Sequence, residues 1–64
     1  MYEIAREYQE RYGRRVGART FTLDLMRDDP AQFKAGYSLA SAVLATATAF
    51  DLTAEETERL RGDI

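Results

Sequence analysis

Apolar positions first recur at Ile4, Tyr8 and Tyr12, four residues apart with Ala5 beside them, which puts them on one face of a helix. Val16 continues that stripe, while Glu3, Arg6, Glu7, Glu10 and Arg14 fall on the far face. Glu7–Arg11 and Glu10–Arg14 set an acid four residues before a base, each pair worth ~0.2–0.5 kcal/mol on an exposed helix. Arg14 and Arg15 then suit a helix C-terminus, and Gly17 is a natural left-handed stop. Gly13 is the other ending the sequence allows. Either one leaves the same face apolar.

In "RTFTLDLMRDD" the period changes: Phe21, Leu23 and Leu25 alternate with Thr20, Thr22 and Asp24, as in a strand. The same residues also fit a short helix from Leu23 to Arg27 capped by Thr22, with Leu23 and Met26 inward and Leu25 beside them. No other segment shows period two, so a strand here would need a second copy to pair with. The short helix is preferred.

The third segment opens with Asp29 at an N-cap, Pro30 at N1 and Gln32 at N3, a capping-box arrangement. From Pro30 to Phe50 only Gly36 interrupts the helical pattern. Within it, "AGYSLASAVLATATAF" carries no charge, and eleven of its sixteen residues are Gly, Ala, Ser or Thr. At ~100° per residue it resolves into two stripes. One holds Phe33, Gly36, Ala40, Val43, Ala47 and Phe50, flanked by Tyr37, Leu39 and Leu44, and reads as a core face. The other holds Ala31, Ala35, Ser38, Ala42, Ala45 and Ala49, spaced four and three alternately with no large side chain. Such a seam lets two helix backbones come closer than the usual 8–10 Å, and resembles the alanine-seam pairing of some helical dimers. A second copy is its expected partner. The last segment restarts a helix, with Thr53 as N-cap, Glu56 at N3, Arg59 and Arg61 near the C-terminus and Gly62 at its end.

Composition narrows the chemistry. Sixty-four residues make at most one domain, whose core is marginal by itself. There is no Cys and no His, which removes disulfides, thiolate metal sites and the commonest general base. The charged N-terminal segment lacks the apolar core of a signal peptide, and the apolar run would cover ~24 Å as a helix against ~30 Å of hydrocarbon. A soluble, cytoplasmic chain with no membrane partner is expected. The carboxylate pairs Asp28/Asp29 and Glu55/Glu56 sit at predicted helix N-termini, where capping explains them. "GRRVG" lacks the spacing and the Lys-Ser/Thr of a phosphate loop. Ser38 and Ser41 have no His to activate them. No enzyme activity, cofactor or metal is expected.

Charge is unevenly spread. Arg11, Arg14, Arg15, Arg19 and Arg27 share their stretch with one acid, Asp24, while five acids and two Arg follow from Asp51 onward. If residues 20–25 were a strand, "RTFTLDL" followed by two helices resembles the ribbon-helix-helix DNA-binding dimers. That resemblance implies base reading by Arg19, Thr20, Thr22 and Asp24, although Asp24 would meet phosphate and the first helix is additional to the pattern. "AFDLTAEETERLRG" is similar to part of a helix-turn-helix, but its first turn is acidic where base edges would lie.

The sequence thus predicts an all-α fold: a single helical domain over 1–64, a bundle of three to four helices with a long Ala-rich central helix, completed by self-association. Its expected role is a non-catalytic protein-interaction module, a small regulator or inhibitor that binds and occludes a macromolecular partner. Self-association is assigned to Ala31, Ala35, Ser38, Ala42, Ala45 and Ala49, a dimer being favoured. Partner contact is assigned to Arg14, Arg15, Arg19, Glu55, Glu56 and Glu58, with protein preferred to nucleic acid. The alternative is a small dimeric DNA-binding regulator using the Arg-rich connection.

Overall fold

A computed structural model describes residues 2–28 and 39–64. Among them lie four helices and no strand: α1 (Glu3–Tyr12), α2 (Arg14–Asp28), α3 (Leu39–Phe50) and α4 (Ala54–Asp63). The all-helical expectation holds. The cap predicted at Asp29, Pro30 and Gln32, and the seam residues Ala31, Ala35 and Ser38, lie outside the described residues.

Of the two endings open to the first helix, Gly13 is the one used. Its φ of 88° with ψ of 165° lies where a Cβ is strongly disfavoured, so the turn depends on glycine. Gly13 donates its N–H to Gln9 O at 2.8 Å, closing α1, and accepts from Gly17 N–H at 2.7 Å, opening α2. One residue therefore ends one helix and starts the next. Gly17 is not a stop but a buried position inside α2, set against the backbone of Tyr8.

This corner changes which faces are inward. α2 is a fifteen-residue helix and not the short one predicted from Leu23, and Thr22 is not its cap but lies in its buried interior. The stripe predicted on α1 is also corrected. Ile4 is 58% exposed and Val16 52%, while Ala5 is fully buried and Tyr8 half-buried. Because α1 ends at Gly13, Val16 belongs to another helix and extends no stripe. Arg14 and Arg15 likewise lie in the first turn of α2, where positive charge opposes the helix dipole.

The buried apolar cluster is Ala5, Ala18, Val43, Ala49, Phe50 and Leu60, with Tyr8, Phe21 and Leu52 packed against it. An aromatic chain runs through it. Tyr8 meets Phe21 edge-on with centroids 5.3 Å apart, and Phe21 meets Phe50 at 5.4 Å and 73°. On α3 the buried residues are Ala42, Val43, Thr46, Ala49 and Phe50. That arc straddles the two predicted stripes and centres on Thr46, which belonged to neither.

Thr46 and Thr22 are both fully buried, and their hydroxyls lie 2.6 Å apart between α3 and α2. Each hydroxyl also sits 2.9 Å from the carbonyl four residues back, Ala18 O for Thr22 and Ala42 O for Thr46. Two hydroxyl protons serve three contacts, so only two can be hydrogen bonds at one time. Removing one hydroxyl leaves the other with its own carbonyl. The double variant Thr22→Val/Thr46→Val is therefore expected to be as stable as the native chain within about 1 kcal/mol. Urea unfolding checks it; a loss beyond about 2 kcal/mol would mean that the pair itself holds the helices together.

At its C-terminus α3 closes with Leu52 N–H donating to Ala47 O at 2.9 Å and Asp51 N–H to Thr48 O at 3.3 Å, a Schellman turn. Asp51 takes the left-handed position, with φ of 55°. The chain then enters α4 through the predicted capping box, complete in both directions: Glu56 N–H to Thr53 Oγ1 at 3.1 Å and Thr53 N–H to Glu56 Oε1 at 3.0 Å. α4 continues through Gly62 to Asp63, one residue past the predicted end.

Candidate interaction surface

Among the arginines and acids expected to reach a partner, Arg14 and Glu56 reach each other. Arg14 Nε donates to Glu56 Oε2 at 2.6 Å and Nη2 to Glu56 Oε1 at 3.0 Å, a two-point fork. The remaining guanidinium contacts run to Gln9 Oε1 at 3.3 Å, Phe50 O at 3.4 Å and Asp51 O at 3.2 Å. Arg14 thus ties α1, the C-terminal carbonyls of α3 and the first turn of α4 to the start of α2. Those carbonyls lack helical partners, and a cation placed there also complements the α3 dipole. The Glu10–Arg14 pair expected on one helix gives way to Arg14–Glu56, because Gly13 separates the two residues into different helices.

Arg15 grips Asp63 with Nε and Nη2, both at 2.8 Å, and Arg19 Nε donates to Asp63 O at 3.2 Å. Arg27 pairs with Asp24 and Asp28, and Arg59 with Glu55 at 3.8 Å. Of the predicted contact residues, then, Arg14 is joined to Glu56, Arg15 and Arg19 to the end of α4, and Glu55 to Arg59. Glu58 alone of the six carries neither an ion pair nor a side-chain hydrogen bond among the described residues. Within the Arg-rich connection Arg14 and Arg15 are paired with acids, and the ribbon required by the DNA-binding resemblance is helix α2.

The fork sets the acid response of the fold. Arg14, followed by the Thr53 backbone N–H, holds the Glu56 carboxyl at about 2, against an ordinary value of 4.5. Arg15 lowers Asp63 in the same way. A carboxyl whose folded value lies below its unfolded one stabilises fully above the unfolded value and loses that contribution as pH falls through the folded one. The urea midpoint should therefore drop between pH 4.5 and pH 2. Glu56→Gln, which keeps a capping oxygen but no charge, should flatten that drop; an unchanged pH profile would show that the fork contributes nothing.

Of the small-residue seam, Ala42, Ala45 and Ala49 are among the described residues. Ala42 and Ala49 are buried inside this chain at 0% and 2% exposure, and Ala45 is half-buried. The close approach that small side chains permit is used within one copy, between α3 and the α1–α2 pair. The opposite side of α3 is left outward: Ala40, Leu44 and Thr48 are exposed, Leu44 by 66%. By its sequence spacing Leu44 flanks the core face; in the fold it points away from it.

Outward from the α3–α4 corner, Leu44, Ala47, Thr48, Leu52, Ala54 and Thr57 line a shallow groove together with Asp51 and Glu58. Periodicity alone could have flagged it only through the absence of charge along all twelve residues of α3. Among the described residues no helix is long and apolar enough to cross a membrane, and no group of three or more acidic, His or Cys side chains could hold a metal. Comparison with family models, with curated proteins and with solved structures yields no match for this chain, so its surface is read from its own residues.

Proposed function

We propose that the chain is a non-catalytic interaction module, a small regulator or inhibitor that docks on a macromolecular partner and occludes part of it. The observation that carries this reading is the outward face of α3: a helix without one charged residue turns Leu44 to solvent at 66% exposure. A solvated helix face is ordinarily supplied with Glu, Lys or Arg, and an uncharged apolar face marks a surface meant for contact. A protein partner fits better than nucleic acid, because Arg14 and Arg15 are already neutralised by Glu56 and Asp63. Pairing of two copies through the alanine seam loses its main support, since Ala42 and Ala49 pack inside the chain.

The test compares tagged native chain with Leu44→Ser for the proteins each retains, with mass in solution measured by light scattering at two concentrations. A protein retained by the native chain and lost with Leu44→Ser, at equal helicity by circular dichroism, is the expected result. Identical retention by both would place the contact elsewhere and end this reading of α3.

A further inference from the structure

The groove at the α3–α4 corner has a charge of one sign. Its apolar floor is Leu44, Ala47, Leu52 and Ala54, and its charged residues are Asp51 and Glu58. Neither carboxylate is in an ion pair among the described residues, whereas Glu55, Glu56 and Asp63 on the same helix each hold an arginine. An apolar floor rimmed by Glu58 and by Asp51, which feels Arg14 only beyond ion-pair distance, repels phosphate and acidic surfaces and concentrates cations. It also disfavours a second copy. A two-fold pair built on this groove sets each surface against itself, bringing Asp51 and Glu58 of one copy toward the same acids of the other.

We propose that this groove takes a basic amphipathic helix from a partner protein. An apolar side chain of that helix sits against Leu44 and Leu52, and Lys or Arg residues flanking it pair with Asp51 and Glu58. The proposal rests on the reading of α3 as an interaction surface and adds the chemistry of the partner. Apolar contact in a groove recognised through an amphipathic helix gives the affinity, and the acids select which helix enters.

A fluorescein-labelled helical peptide of Leu and Lys, and its Leu and Glu counterpart of equal length, are titrated with the chain by fluorescence anisotropy at 50 and 300 mM NaCl. The Leu–Lys peptide should bind, at least severalfold more weakly at the higher salt because exposed charges are screened. Leu44→Ser and Glu58→Lys should each weaken it about tenfold, and Glu58→Lys should improve binding of the Leu–Glu peptide. Glu7→Lys, the same charge change on α1, should leave it unaltered. All three positions are exposed, and circular dichroism confirms that each variant keeps its helices. Equal weakening by Glu7→Lys would reduce the effect to general attraction by an acidic chain, and overturns the proposal. Equal, Leu44-dependent binding of both peptides overturns the basic partner while leaving α3 an apolar contact surface. A dimer abolished by Leu44→Ser overturns it in favour of a second copy. No binding of either peptide also overturns it, and the retention experiment then tests the α3 surface independently.

Discussion

Phe50→Ala is expected to leave the chain largely unfolded. Phe50 is the largest fully buried side chain among the described residues, and the rest of the buried cluster is made mostly of smaller residues, Ala5, Ala18, Ala49 and Val43 among them. Truncating a buried Phe costs about 3–5 kcal/mol, the lost transfer energy plus the cavity left behind. A domain of this length has a total stability of roughly 3–10 kcal/mol. The ring also closes the aromatic chain through Phe21, an edge contact worth ~0.5–1.5 kcal/mol beyond its buried area. Collapse into the hole is difficult, because the neighbouring alanines have no atoms to move into it. Circular dichroism and urea titration decide the matter. Leu44→Ala on the same helix, at an exposed position, should shift stability by no more than about 0.5 kcal/mol. A cooperatively folded Phe50→Ala chain within about 1 kcal/mol of native would mean that the core lies elsewhere.

The second large effect concerns sign. Gly→Ala inside a helix ordinarily stabilises by about 1 kcal/mol. At Gly17 the added methyl carbon would lie 2.8 Å from Tyr8 O, 3.0 Å from Tyr8 C and 3.2 Å from Gln9 Cα. All three are backbone atoms, so no side chain can turn aside and α1 itself must move away from α2. That movement would loosen Ala5 and Ala18 in the core. Gly17→Ala should therefore destabilise by about 1–3 kcal/mol, as overpacking does. Gly62 in α4 provides the contrast, since nothing lies within 4 Å of its added methyl. Gly62→Ala should gain up to about 1 kcal/mol. Two glycines, both helical, should thus shift the urea midpoint in opposite directions; stabilisation by Gly17→Ala would show that α1 is not in close contact with α2.

The local chemistry was legible. Thr53 and Glu56 cap α4 as their spacing predicts, because a capping box needs only residues three apart. Gly13 and Gly17 both read as endings of the first helix, and the backbone conformation of Gly13 explains why the helix stops there. What failed was the choice between faces. Ile4, Val16 and Leu44 look like core residues by size, yet α1 and α3 bury Ala5, Ala42, Thr46 and Ala49 instead. Alanine and threonine give a hydrophobic period little contrast. Thr22 and Thr46 are moreover made fit for burial by carbonyls of their own helices.

The candidate surface shows the same division. Arg14 and Glu56 are forty-two positions apart, and nothing in the sequence joins them. Both could be named as charged and available, and the fold spends them on each other. Sequence by itself determined the helical class, the cap at Thr53 and an α3 segment free of charge, since each of these depends on a residue and its near neighbours; between Gly13 and Gly17 it left the first ending open. Only the tertiary structure decided that Ala42 and Ala49 pack within the chain, that Arg14, Arg15, Arg27 and Arg59 are held by acids, and that Leu44 faces out beside Glu58. Those outcomes depend on contacts between residues far apart in the sequence, such as Thr22 with Thr46 and Arg14 with Glu56, which no local pattern encodes.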